Sequence, residues 1–160
     1  MLQVKQDGLI STFFSEVNRR YIKRALRLRS VPQFDSAQQP RQHKKVYLFA
    51  DEFTNFQEAE LGLTFAKLLM RLGYEVEIPR HVESGRAAIS KGCLKLAKKF
   101  AIKNVNLLKE KVSALTPLVG IEPSCILSFR DEYPDLVPAA MRKDALNLAE
   151  NSLLYDEFFV

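Results

Sequence analysis

The sequence has no tryptophan, two cysteines, two histidines and no uninterrupted apolar stretch longer than Val46–Ala50. Each shortage removes a class of protein. Cys93 and Cys125 provide neither a disulfide framework nor a Cys-x-x-Cys pair, so a reducing, cytoplasmic setting is expected. A membrane-spanning helix needs about 20 consecutive apolar residues, and nothing here approaches that length. Near the N-terminus, Lys5 and Asp7 precede a short apolar patch and then a basic cluster. That order lacks the apolar core and small-residue cleavage site of a secretory signal. Six glycines and seven prolines in 160 residues argue against a fibrous repeat or a largely disordered chain.

What is present is 47% hydrophobic residues and 27% charged ones, enough for one domain with a genuine core plus an extension. The net charge of +5 is unevenly spread. Residues 1–45 carry ten Lys or Arg against three acids (+7), and the remainder fourteen against sixteen (−2). Arg19, Arg20, Lys23, Arg24, Arg27 and Arg29 form the basic cluster. Such a cluster serves either an anionic surface or a solvated docking face, and no recognised nucleic-acid motif follows it, so no nucleic-acid partner is expected.

Leu9, Ile10, Phe13, Phe14, Val17, Tyr21, Ile22 and Ala25 recur at helical spacing and predict an amphipathic helix over 9–27. Residues 30–42 read as an irregular connector, which places a boundary at 43/44. Val46–Ala50 predicts a buried strand. A helix through Leu61, Phe65, Leu68, Leu69 and Leu72 should then close at Gly73. Tyr74–Ile78 predicts a second strand, parallel to the first through a right-handed crossover. From Ser90, Leu94, Ala97, Phe100, Ala101, Leu108 and Val112 describe another amphipathic helix. Leu118–Ile121 predicts a third strand. A helix should start near Pro123 and another run from Ala139 to Phe158, with Leu146, Ala149, Leu153 and Leu154 inward. The fold class is therefore α/β: a small three-layer, Rossmann-like domain with a mainly parallel three-stranded sheet over 44–160, preceded by the N-terminal helix. A sheet so narrow leaves an edge exposed, and pairing of two chains is an expectation from that.

In an open parallel sheet the ligand site lies beyond the carboxyl ends of the strands. Three segments converge there: Asp51–Phe56, Pro79–Arg86, and Glu122–Cys125 with Ser128, Arg130 and Asp131 beyond it. His81, Glu83, Glu122 and Cys125, with Asp51 and Glu52 beside them, are residue types that bind a divalent metal such as zinc, although their spacing is not diagnostic. Ser84-Gly85-Arg86 could cradle an anion with backbone N–H groups and a guanidinium. Alternatively, Ser84 is a cap and Arg86 pairs with a carboxylate. Cys125 follows a helix-starting Pro123-Ser124 step, where a thiol gains reactivity, and with His81 as base it would make a nucleophilic pair. Cys93, beside Leu94, reads as a small buried hydrophobe.

Four stretches carry a family resemblance: Lys44–Phe56 (KKVYLFADEFTNF), Gly73–Pro79 (GYEVEIP), Ser84–Gly92 (SGRAAISKG) and Gly120–Pro138 (GIEPSCILSFRDEYPDLVP). Over residues 30–160 the chain resembles the cysteine-rich (CCG-type) domain of iron–sulfur oxidoreductases. The similarity is strongest to the C-terminal part of FAD-linked D-lactate, glycolate and 2-hydroxyglutarate dehydrogenases fused to ferredoxin-like modules. In that family, cysteines after the three strands bind an iron–sulfur cluster or another metal. By the resemblance those positions fall near Asp51, at Glu83-Ser84-Gly85 and at Glu122-Pro123-Ser124-Cys125, so that Asp51, Ser84, Gly85, Arg86 and Cys125 occupy the cofactor position and only Cys125 keeps its sulfur. A cubane cluster generally requires four thiolates, so no cofactor is expected in this chain. FAD and the cluster would belong to flavin and ferredoxin-like modules outside it, and the chain is expected to be a fragment of a larger redox enzyme, not catalytic alone.

Overall fold

A computed structural model describes residues 45–160. The predicted helix 9–27, the connector and the basic cluster lie outside the described residues. Apolar alternation in the first strand organises the rest. β1 (Lys45–Phe49) sends Tyr47 and Phe49 to one side, and Val46 and Leu48 to the other. β1 pairs in parallel with β2 (Glu75–Glu77), with Val46 opposite Val76, and with β3 (Leu118–Gly120), with Leu48 opposite Val119. A fourth strand, β4 (Ser152–Leu154), pairs in parallel with β3, giving the order β2-β1-β3-β4.

Between these strands run α1 (Glu52–Phe56), α2 (Ala59–Arg71), α3 (Arg86–Ser90), α4 (Leu94–Leu108), α5 (Pro123–Asp131), α6 (Tyr133–Leu136) and α7 (Arg142–Glu150). Single turns of tighter helix follow at Ala139–Met141 and Glu157–Phe159. On one face, Tyr47, Phe49 and Leu118 pack against Ala101, Val105 and Leu108 of α4, Ile126 and Phe129 of α5, Tyr133 of α6, and Ala145 and Leu148 of α7. The other face is covered by a single long helix, α2, through Phe65, Ala66 and Leu69 on Val46, Leu48 and Val119. Each fully buried leucine or phenylalanine contributes about 1.5–3 kcal/mol, and this two-sided burial of β1 defines the α/β three-layer architecture expected from the sequence.

Two glycines have positional reasons. Gly73 closes α2 at φ +89°, while Tyr74 N–H reaches Leu69 O and Gly73 N–H reaches Met70 O, the double bond of a Schellman stop. At Gly120, a Cβ would sit 2.6 Å from Ile126 Cβ, so only glycine lets the end of β3 approach α5.

Two expectations need correction. The predicted helix over 139–158 is interrupted: α7 ends at Glu150, and 152–154 form β4. Asn151 Nδ2 donates to Asn147 O (2.7 Å) and Ser152 Oγ to Leu148 O (2.7 Å), local bonds that compete with continued helix. As a result Ala145 and Leu148 face inward and Leu146 is exposed, and the sheet gains a strand. At the other edge of that strand, Leu154 N–H donates to Glu157 Oε2 (2.9 Å), a carboxylate also held by Arg130 of α5. Second, Cys93 stands exposed at the N-cap of α4 instead of inside it; Cys125 is the buried cysteine.

Candidate functional site

The carboxyl ends of β1, β2 and β3 converge on one polar network. Asp51, two residues beyond β1, is buried and caps α1: Oδ1 accepts from Phe53 N–H (2.8 Å) and Thr54 N–H (2.9 Å), and Oδ2 from the Thr54 hydroxyl. Burial pushes its carboxyl above the usual carboxylate value, against these bonds. That cap aims the next residue, Glu52, across the sheet edge. Glu52 Oε2 accepts from Ser84 N–H (3.0 Å), and Oε1 from the Ser84 hydroxyl (2.6 Å). Ser84 Oγ also accepts from Arg86 N–H (3.1 Å) and lies 3.3 Å from Cys125 Sγ. A hydroxyl has one proton, and the carboxylate is the stronger acceptor, so Cys125 faces Ser84 as a neutral S–H group.

The segment bearing Ser84 is clamped from beneath. Asn104, fully buried on α4, accepts from Val82 N–H (2.8 Å) and donates to Glu83 O (3.0 Å) and the Tyr133 hydroxyl (2.8 Å). Tyr133 in turn donates to Ser84 O (2.8 Å). Gly85, at φ +81°, turns the chain into α3, where an added Cβ would lie 3.4 Å from Phe100 Cβ. Desolvation raises the Tyr133 phenol well above its ordinary value, so it acts as a neutral hydrogen-bonding post.

Three groups of the expected anion cradle have partners within the chain. The backbone N–H of Ser84 is taken by Glu52, that of Arg86 by the Ser84 hydroxyl, and the Arg86 guanidinium by Glu132 Oε1 (2.7 Å). A carboxylate of the chain itself fills the place a ligand's anion would need. Of the alternative reading, the pairing of Arg86 with a carboxylate matches these contacts, while the N-cap of α3 is Gly85 and the Ser84 hydroxyl, one residue before it, accepts from Arg86 N–H.

Two of the four expected metal donors are engaged within the chain. Glu122 turns back to cap α5, with Oε2 accepting from Cys125 N–H (2.9 Å) and the Ser124 hydroxyl (2.7 Å). His81 lies 4.6 Å, ring to ring, from Phe49, with Nδ1 2.9 Å from Val82 O, and burial lowers its pKa, favouring the neutral ring. Glu83 is exposed, and desolvation together with the Glu52 charge raises its carboxyl. Among the described residues, no group of three or more His, Cys, Asp or Glu side chains is disposed to hold a metal ion. A cubane cluster does not fit this donor set either, because the one thiol at the site has no thiol neighbours and Cys93 is on the surface.

The surroundings of Cys125 work against a thiolate nucleophile. Burial raises the Cys125 thiol far above its ordinary value, and the charges of Glu52, Asp51 and Glu122 push it the same way. These outweigh the helix N-terminus that would otherwise favour thiolate. Asn104, Tyr133 and Glu132 were not foreseen as site residues. Asn104 had a signal, since it interrupts the apolar stripe Ala97, Ala101, Val105, Leu108 of α4. Beyond the network, an open cleft of about 340 Å³ lies between α1–α2 and the start of α5, lined by Phe53, Leu61, Ile121 and Pro123 among others.

The chain is 31% identical over 111 residues to a D-2-hydroxyglutarate dehydrogenase of Pantoea ananatis, covering 69% of this chain and 11% of that protein. It is 28% identical over 104 residues to the dehydrogenase of the same description from Escherichia coli, and 27% over 107 residues to that from Haemophilus influenzae. The chain thus spans about a tenth of the length of the curated relatives it matches. No protein-family model matches it, and no solved structure matches it significantly.

Proposed function

We propose that this chain is an accessory α/β module of an oxidoreductase acting on D-2-hydroxy acids, docking on flavin and ferredoxin-like modules that lie outside it. The observation that carries this reading is the reach of the similarity: some two thirds of this chain against about a tenth of each D-2-hydroxyglutarate dehydrogenase. The site adds support, because the strand ends that hold cysteines in the CCG-type family here hold the Asp51, Glu52, Ser84 and Cys125 network. That network is internally satisfied and neutral at sulfur. It braces three strand ends.

The test uses the full chain, purified without oxygen and without a metal-binding tag. Iron, acid-labile sulfide and zinc are measured, together with D-2-hydroxyglutarate oxidation by the chain alone. Binding to the Pantoea ananatis dehydrogenase deleted for its matching segment is then followed by calorimetry. The expected result is no stoichiometric metal or sulfide, no turnover, and saturable binding. Stoichiometric iron with sulfide would make the domain an electron carrier, turnover would make it catalytic, and no binding would end the docking reading.

A further inference from the structure

Helix α2 carries more apolar surface than the sheet covers. Gly62, Phe65, Ala66 and Leu69 form its buried arc, whereas Leu61, Leu68 and Leu72, within about 40° of one another at about 100° per residue, stay exposed at 49%, 45% and 53%. Leu61, Phe65, Leu68 and Leu72 are spaced by four, three and four residues, the a/d spacing of a helix that packs along another helix. Phe65, on the inner side of this seam, meets the rings of Tyr155 (6.1 Å) and Phe159 (6.2 Å), themselves 44% and 45% exposed. These five exposed side chains offer roughly 450 Å² of apolar surface, which in an interface about 60% apolar corresponds to about 750 Å² per partner, near the roughly 800 Å² of a standard stable complex.

The charges of α2 select its partner. Glu58 and Glu60 stand at its head, and Lys67 and Arg71 toward its tail, so the helix is neutral as a whole and polar along its length. A partner of one sign gains at one end what it loses at the other. A helix whose charges run in the opposite direction gains at both, and α2 itself, turned end for end, is such a helix. We propose that two copies of this chain pair through α2, antiparallel about a two-fold axis midway between Phe65 and Leu68, so that Leu72 meets the partner's Leu61 and Leu68 lies beside the partner's Phe65. Glu60 and Arg71 fall within about 20° of each other on the solvent side of the seam, so the same operation sets Arg71 of each copy against the partner's Glu60. Within one helix the two are about 16 Å apart along the axis, too far to pair with each other. A two-fold contact uses the stripe of both copies and leaves none for a third, so assembly stops at the dimer. The α2 surface carries this independently of the functional reading above.

Sedimentation of the full chain from about 1 to 200 µM is the test, and a dimer with a dissociation constant in the micromolar range is expected. Leu68→Glu, at an exposed position beside the axis, should weaken the dimer by about a hundredfold or more while leaving the urea midpoint of dilute, monomeric protein in place. Glu60→Arg and Arg71→Glu should each weaken it about fivefold at low salt, and the doubly reversed chain Glu60→Arg/Arg71→Glu should regain the parent affinity. The double reversal decides alone if Leu68→Glu fails to fold. A chain that stays monomeric at every concentration overturns the proposal and leaves the stripe to another occupant, a different protein or a segment of the same chain. A dimer that Leu68→Glu leaves intact overturns it too, placing the interface elsewhere. Additive loss in the doubly reversed chain refutes the antiparallel order.

Discussion

Asn104→Ala is the sharpest test of the clamp beneath the site. The side chain is fully buried and satisfies one backbone N–H, one carbonyl and one phenol at once. Removing it strands the Val82 N–H in a dry interior, where a single unpaired donor costs about 1–3 kcal/mol. Loss of the Tyr133 and Glu83 contacts and the small cavity bring the total to about 3–4 kcal/mol, a large share of the roughly 5–15 kcal/mol that holds a domain folded. Urea unfolding followed by circular dichroism should show the midpoint falling by about 1.5–2 M at unchanged slope. Asn104→Leu restores volume without hydrogen bonds and should recover less than half of the loss. A change below about 1 kcal/mol in Asn104→Ala, or a neutral Asn104→Leu, would refute the claim that these bonds hold the 82–85 segment.

Three further outcomes follow from the geometry. With iodoacetamide on the native chain, Cys93 should react quickly and Cys125 only through opening of the domain, slower by a factor on the order of 10³ or more; comparable rates would contradict the buried, protonated thiol. Gly120→Ala should destabilise by about 1–3 kcal/mol by thermal melting, since its Cβ meets Ile126 at 2.6 Å, and a neutral substitution would show that β3 and α5 can separate freely. His81 is held below the ordinary imidazole value of 6.5 by burial, so the unfolded chain takes up its proton first. Its contribution is full above pH 6.5, declines as pH falls below that, and levels off once the folded ring also protonates. His81→Gln should therefore flatten the stability profile in that acid window, and parallel profiles for the two proteins would remove the effect.

The βαβαβ alternation was legible because Val46–Ala50, the α2 leucines and Gly73 each carry a local signal that agrees with its neighbours. β4 was hidden: Leu153 and Leu154 continue the helical spacing of Leu146 and Ala149, and only the side-chain bonds of Asn151 and Ser152 break it. The three site segments were found from topology, since strand ends converge whatever their residues. Their chemistry was not, because donor types say nothing about orientation. Glu122 and Asp51 turn back onto helix starts, and Glu52 crosses to Ser84, 32 residues away in sequence. The exposure of Cys93 was missed for a related reason. Cys93 falls one residue outside its helix, where the apolar periodicity no longer applies.

The Arg130–Glu157–Leu154 contact governs how this sheet can grow. An outermost strand normally offers its free N–H row as a template for another chain, the route by which sheets aggregate or exchange strands. Here β4 is three residues long, and the outward N–H of Leu154 is already taken by a carboxylate that α5 holds in place. At the far edge β2 is equally short and presents Glu75 and Glu77, both in ion pairs with Lys45. On β4 an incoming strand would have to displace the Glu157 carboxylate for three residues of ladder. Among the described residues the sheet has four strands, and its two edges offer a further strand only three residues of ladder each.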